Sequence, residues 1–333
     1  MKKIHLFCIS SRISSCILHS AFCILIASCI LITSCTPTKK TTALEHPNFS
    51  GDSAYSFIEQ QLAFGPRVPN SASHSRCLVW LTQQLRSYGF DVTVQRGAML
   101  NYAGQEQLVL NIIASRPSHT APVLLAAHYD TRPWTDSEEE YDDRFYNVPG
   151  ADDGASGVAV LLEIARQIAT DTTHQYVPVE IVFFDCEDMG TPEFYTGPQL
   201  ENTWCLGSQL FALNNTKTYQ YGIILDMVGA HGAQFPREYF SMQYADNYQE
   251  RIWRQAKALG YGRYFVDELS MPITDDHYYL NLAGIPTVDI IHYDARTMTG
   301  FGDYWHTRND NINAIDKATL QAVGEVVLSC LNY

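Results

Sequence analysis

The sequence predicts an α/β fold: a single globular domain whose central, mostly parallel, twisted sheet is flanked by helices. Three observations predict it. Short continuous apolar runs at 123–127, 179–185, 221–226 and 287–291 have the length and composition of strands buried on both faces. Longer segments between them carry apolar residues at helical spacing, and strands alternating with helices imply parallel crossovers. No internal repeat or second hydrophobic unit interrupts this pattern.

Taken in order, residues 52–62 have helical spacing, and the prolines of Phe64-Gly-Pro-Arg-Val-Pro69 end that element. Residues 73–88 repeat the pattern, with Gly89 placed as a stop. Strands at 91–95 and 107–114 precede the buried run 123–127, which ends in His128-Tyr-Asp130. The turn Gly150-Ala-Asp-Asp-Gly-Ala-Ser-Gly157 opens a helix over 154–169, where a carboxylate reads first as a helix cap. There follow a strand at 179–185, a helix at 206–213, a strand at 221–226 and a helix at 246–259. A helix opening near Asp275, a strand at 287–291 and a closing helix at 316–331 complete the chain.

The chain has 333 residues and a formal net charge of −14. Its first 35 residues carry Lys2, Lys3 and Arg12 but no acid, so the remainder is more acidic still. That balance, with no clustered Lys or Arg, argues against nucleic acid as a partner. Residues 1–35 read as a lipoprotein signal peptide: a positive start, an apolar stretch from Ile17 to Ile32, and Ile32-Thr-Ser-Cys35, which is similar to a lipobox. Cys35 would then carry a lipid, residues 36–48 would be a polar tether, and residues 49–333 the catalytic domain. The expectation is an exported, lipid-anchored, periplasm-facing bacterial envelope protein, monomeric. Of the four later cysteines, Cys77 and Cys330 fit core positions, and Cys186 and Cys205 bracket one loop and could be bonded.

In open α/β sheets ligands bind beyond the carboxyl ends of the strands. His128 and Asp130, then Asp185 to Asp188, Asp226, and finally His292 and Asp294 all follow strands, so polar residues converge on one edge. Two long loops, 131–149 and 186–204, rise there too. A catalytic zinc takes a few His, Asp or Glu ligands and keeps one position open. Carboxylates on two loops with His306 on a third meet that need.

With His128-Tyr-Asp130, Asp152-Asp153-Gly154, Glu187-Asp188, Asp226 and Trp305-His306 in chain order, the sequence resembles the zinc aminopeptidase superfamily over about 52–331. Within it the chain looks most like the animal-type glutaminyl cyclases. An Asp begins Asp275-Asp276-His277 where the peptidases commonly carry Ser, Trp305 precedes His306 where they carry Tyr, and Phe301-Gly-Asp-Tyr-Trp-His306 resembles the cyclase stretch that walls the metal.

The resemblance implies one zinc held by Asp153, Asp188 and His306, the second in place of a family Glu. It implies Glu187 as proton carrier, Asp275 and Asp226 as supporting carboxylates, and Trp305, Phe301, His277 and Asp289 on the substrate side. Asp289 stands where the family has a histidine, and the animal enzymes' disulfide pair is missing. Phe194 or Tyr195 is expected to help exclude water. The implied substrates are peptide or protein N-termini beginning with Gln. In this one-zinc reading Asp152 is left as a cap or support, and the alternative is a two-zinc aminopeptidase with His128, Asp153 and Asp226 on a second metal.

Overall fold

The computed structural model describes residues 46–332. Cys35 and its surroundings lie outside the described residues. Helices α1 (Gly51–Leu62) and α2 (Ala72–Ser87) open the chain. Each is capped as its sequence demands, Ser50 accepting from the Ser53 N–H and Ser71 from the His74 N–H. Strands β1 (Asp91–Leu100) and β2 (Glu106–Ser115) form an antiparallel ribbon longer than the apolar pattern alone implies. Its turn is closed by the Asn101 side chain, which accepts from the backbone of Ala103 and Gln105.

Strand β3 (Val123–His128), helix α3 (Ala155–Thr170), strand β4 (Val179–Phe184), helix α4 (Leu206–Asn214) and strand β5 (Gly222–Asp226) then alternate. After them come β6 (Phe235–Arg237), α5 (Tyr239–Ala258), β7 (Phe265–Leu269), α6 (Asp276–Leu282), β8 (Thr287–Ile291) and α7 (Lys317–Cys330). The six-stranded sheet runs β1-β2-β4-β3-β5-β8. β4, β3, β5 and β8 are parallel, and β2 joins β4 antiparallel, so the ribbon makes the sheet mixed at one edge. Successive side chains point to opposite faces. Leu125 and Ala127 therefore join the large core with α3 and α7, while Leu124 and Ala126 join Phe211 of α4 and Leu280 of α6.

Several boundaries depart from the sequence expectation. Helix α5 begins at Tyr239 rather than 246, because a kink at Ala245 breaks the apolar periodicity there. The short parallel pair β6 and β7 was invisible in the pattern, three and five residues being too few to show alternation. Residues 46–48, assigned to the tether, are packed on the body: His46 is paired with Glu325, and Asn48 reaches Gln167. Cys186 and Cys205 are both free.

Candidate active site

The carboxyl ends of β3, β4 and β5 deliver His128, the 185–188 loop and Asp226 to one edge. Two buried aspartates hold the loops there by their backbones. Asp130 accepts from the N–H groups of Glu187 (3.1 Å) and Asp188 (3.2 Å). Asp310 does the same for Asp152 (2.7 Å) and Asp153 (3.2 Å). Arg67, fully buried, donates to the carbonyls of Pro149 and Gly150, both at 2.6 Å, fixing the entry to the turn. Gly154 takes φ +94°, open to glycine and strained for other residues.

Asp153, Asp188 and His306 meet. His306 Nε2 lies 3.1 Å from Asp188 Oδ1 and 3.5 Å from Asp153 Oδ2. His128 Nε2 approaches the same Asp153 from the other side, 3.0 Å from its Oδ1, and stands 3.2 Å from Asp226 Oδ1. One oxygen each of Asp153 and Asp188 is buried without a hydrogen-bond partner. Burial and the charge of Asp188 raise the Asp153 pKa. Asp188 instead sits at about 2, because the neighbouring His306 outweighs the cost of burial. Orphaned carboxylate oxygens facing a buried imidazole are the donor set that zinc takes, so these residues fit the metal. On its far side His306 Nδ1 lies 3.4 Å from Asp136, whose carboxylate is gripped by Arg132. Arg132 also donates to the carbonyls of Asp188, Gly190 and Thr191, tying the two long loops together.

Beside this cluster opens a cavity of about 640 Å³. Glu187, Asp226 and Asp275 line it together with Asp153 and Asp188. Burial, with Asp188 adding, lifts the Glu187 pKa well above the usual carboxylate range. Burial likewise pushes Asp226 and Asp275 up to about 6. Asp275 caps α6 with one oxygen and leaves the other unpartnered. Opposite these acids stand aromatic rings: Trp305 is stacked on His306 at 3.6 Å between centroids, and Phe301 lies 4.9 Å from Trp305. Among the described residues, no Lys or Arg lines the cavity.

His277 and Asp289 are fully buried but do not line the cavity. His277 lies between Glu238 (3.0 Å) and Asp289 (3.3 Å), behind Asp275, and so belongs to the supporting layer rather than to a substrate wall. The pocket aromatic of the 186–204 loop is Trp204, stacked over His306, instead of Phe194 or Tyr195, which pack outward on Trp134 and Tyr102. Asp152 is no helix cap, since Gly154 holds that position without a side-chain bond. Its carboxylate accepts from the Gly229 N–H (2.6 Å) and the Tyr304 hydroxyl (2.5 Å), bracing two loops. Asp310, Asp136 and Arg132 escaped the sequence reading, because a lone acid or base in a polar loop looks solvated until the fold buries it.

Residues 111–331 match the model of peptidase family M28. A glutaminyl cyclase structure from Tannerella forsythia is 45% identical, with a TM-score of 0.82, and the likeness covers 86% of this chain and 99% of that one. A Zn-dependent exopeptidase from Parabacteroides distasonis is 43% identical with the same TM-score and coverage. Aminopeptidase YwaD of Bacillus subtilis is 26% identical over 254 residues, 73% of this chain and 49% of its own length. The chain spans 39% to 63% of the length of the curated relatives first matched.

Proposed function

The chain belongs to peptidase family M28, and from that premise we propose that it is a zinc-dependent glutaminyl-peptide cyclotransferase, converting N-terminal glutamine of peptides and proteins to pyroglutamate with release of ammonia. The observation that carries this reading is one cavity in which Asp153 and Asp188, backed by His306, meet Glu187, Asp275 and a wall of Trp305, Phe301 and Trp204. Neighbours matching over nearly their whole length, glutaminyl cyclases at 42–45% identity among them, support it.

In this reading Asp153, Asp188 and His306 hold one zinc, which when bound polarises the γ-carboxamide carbonyl and stabilises the charge developing on its oxygen. The substrate carries both reactants, so the cavity has only to hold them in the attacking geometry. Glu187 takes a proton from the α-amine as its nitrogen bonds to the side-chain carbonyl carbon. It returns that proton to the departing amide nitrogen as the carbon–nitrogen bond breaks, and ammonia leaves. A carboxylate whose proton affinity is raised by burial suits both halves of this transfer. The unpartnered oxygen of Asp275 accepts from the leaving group, with Asp226 beside it. Trp305, Phe301 and Trp204 exclude the water that would hydrolyse instead.

A Gln-led dipeptide should release one ammonia and give a product lighter by that mass. Glu187→Gln should remove turnover by a factor of ~10²–10⁴ while zinc stays bound. Undiminished activity in that variant would refute the role of Glu187. A second reading, a two-zinc aminopeptidase, draws on His128 standing close to both Asp153 and Asp226. Two tightly bound zincs and liberated amino acids would select it.

The leader adds a location to the proposal. Ile32-Thr-Ser-Cys35 supports export and a lipid on Cys35, and with them an enzyme held on the bacterial envelope facing the periplasm. Incorporation of labelled palmitate that persisted in Cys35→Ala would count against the anchor.

A further inference from the structure

The acidic run Glu138–Asp143 and the aromatics around it take no part in the chemistry above, yet the buried Arg132 joins them to the cavity wall. Trp204 of the cavity wall carries the Arg132 guanidinium 4.6 Å over its ring, and the same guanidinium lies 5.4 Å from the ring of Trp134. Trp134 meets Phe194 at 6.1 Å, Phe194 meets Phe145 at 4.7 Å, and Phe145 meets Tyr141 at 5.3 Å. The outer end is open to solvent: Tyr141 is 61% and Phe145 50% exposed. A row of touching aromatics from Trp134 to Tyr141, its outer end uncovered and its inner end one guanidinium away from a binding cavity, marks an interaction surface. An extended peptide of about eight residues is long enough to follow it from the cavity outward.

The charge beside the row is mostly negative, with Arg144 folded back onto the carbonyls of Glu138 and Glu139. Glu139, Glu140 and Asp142 are exposed and make no ion pair among the described residues, as does Glu193 on the facing loop. Glu138 and Asp143 are paired with Arg308. An aromatic ledge rimmed by unpaired carboxylates complements a chain bearing apolar and basic side chains and repels an acidic one. The same charge disfavours an anionic lipid surface.

We propose that Tyr141, Phe145 and Phe194, with Glu139, Glu140 and Asp142, form a docking ledge for the stretch of substrate polypeptide downstream of its N-terminal glutamine, selecting chains with apolar and basic residues there. The ledge rests on the cyclotransferase reading for its substrate, and it turns a small-molecule cavity into a reader of longer chains. It adds binding without touching the reacting atoms, so it acts on KM and leaves kcat alone.

The test compares a Gln-Ala dipeptide amide with two twelve-residue Gln-led peptides, one carrying Trp and Lys at positions five to eight and the other Ser and Asp. With full-length, zinc-loaded protein the Trp/Lys peptide should exceed the dipeptide in kcat/KM by about tenfold, through KM. That advantage should shrink as salt rises. Tyr141→Ser with Phe145→Ser should erase it while dipeptide turnover stays unchanged. Glu139→Gln, Glu140→Gln and Asp142→Asn together should remove its salt dependence. Equal kcat/KM for the two long peptides, or an advantage that survives the Tyr141/Phe145 variant, would overturn the ledge. So would Tyr141/Phe145 variants that lose binding only to vesicles of phosphatidylglycerol. If the dipeptide is not cyclised at all, the cyclotransferase reading fails separately, and anisotropy titration of the two labelled peptides still decides the ledge by their difference in affinity.

Discussion

The thiol of Cys205 lies 3.1 Å from Oε1 of Glu187 and donates to it, while the Cys205 N–H donates to the Glu187 carbonyl at 2.9 Å. Cys205 therefore steers the carboxylate assigned as proton carrier, from a backbone held at φ +56°. Burial, with the Glu187 charge adding, pushes the thiol pKa well above its ordinary value, so the group remains a donor at working pH. Removing a hydrogen bond to a charged group costs about 1.5–3 kcal/mol. Cys205→Ala should therefore lower kcat by roughly tenfold or more with KM little changed, and Cys205→Ser, which keeps a donor, should recover most of it. Equal losses in both variants would mean that Cys205 only fills space.

Chelation should destabilise the protein, and more so as pH rises. Without metal, burial and the charge of Asp188 raise Asp153, and burial lifts Asp226 and Asp275 to about 6. An acid whose folded pKa is raised favours the fold while protonated, and that contribution is lost as pH climbs from the ordinary carboxylate range through the raised value. For His128 and His306 burial opposes the charge, but their carboxylate partners win and both pKa values are raised. A raised histidine stabilises below its folded pKa and loses that contribution as pH rises through it, so the sign is the same. Asp188, lowered to about 2, acts only below the ordinary range. The gap in melting temperature between zinc-loaded and chelated protein should widen from pH 5.5 to pH 8, and a narrowing gap in scanning calorimetry would contradict this linkage.

Arg132 should be the side chain whose loss is felt in both stability and metal affinity. It is buried, paired with Asp136 and donating to three carbonyls on the 188–191 loop. Arg132→Met takes from Asp136 its guanidinium partner and leaves the buried carboxylate with only His306 Nδ1 (3.4 Å) and the Glu193 N–H (3.1 Å), and breaking such a buried pair costs about 3–5 kcal/mol. It also frees the loop that carries Asp188 and the acid behind His306, so zinc affinity should fall by ~10–100-fold. Urea titration and competition with a zinc chelator measure the two effects. Asp136→Asn added to Arg132→Met should restore part of the stability by removing the stranded charge.

The parallel strands were legible because burial on both faces leaves an unbroken apolar run, as in Val123–His128, and because ligands gather where such runs end. The same rule points to His128, Asp130, the 185–188 loop and Asp226, but it also points to His292 and Asp294, which do not line the cavity, and Asp153 is found instead from its turn and the family resemblance. What stayed hidden depends on long-range packing. Asp130 and Asp310 brace backbone N–H groups that lie 57 and 157 or more residues away, which no local pattern encodes. Trp204 and Phe194 share one loop and similar chemistry, and only the stacking of Trp204 on His306 tells which ring faces inward. His277 and Asp289 read as site residues by type, but a second buried acid, Glu238, draws the histidine into the layer behind.

Gly154→Ala should separate the one-zinc from the two-zinc reading. A Cβ at this position would sit 2.7 Å from the Asp130 carbonyl and 3.1 Å from Cε1 of His128, in a backbone at φ +94°. Strain of this kind costs about 1–3 kcal/mol, and the crowded ring of His128 must shift as well. Gly260 has φ +85° with open space around it, so Gly260→Ala carries strain without crowding and serves as the control. If a single zinc sits on Asp153, Asp188 and His306, Gly154→Ala should melt lower than Gly260→Ala yet keep one zinc per chain and measurable cyclisation. If His128 holds a second metal together with Asp226, the same substitution should release that metal and abolish turnover. Zinc content by mass spectrometry, read beside ammonia release, distinguishes the outcomes, because the displacement reaches His128 directly and reaches His306 only through Asp153.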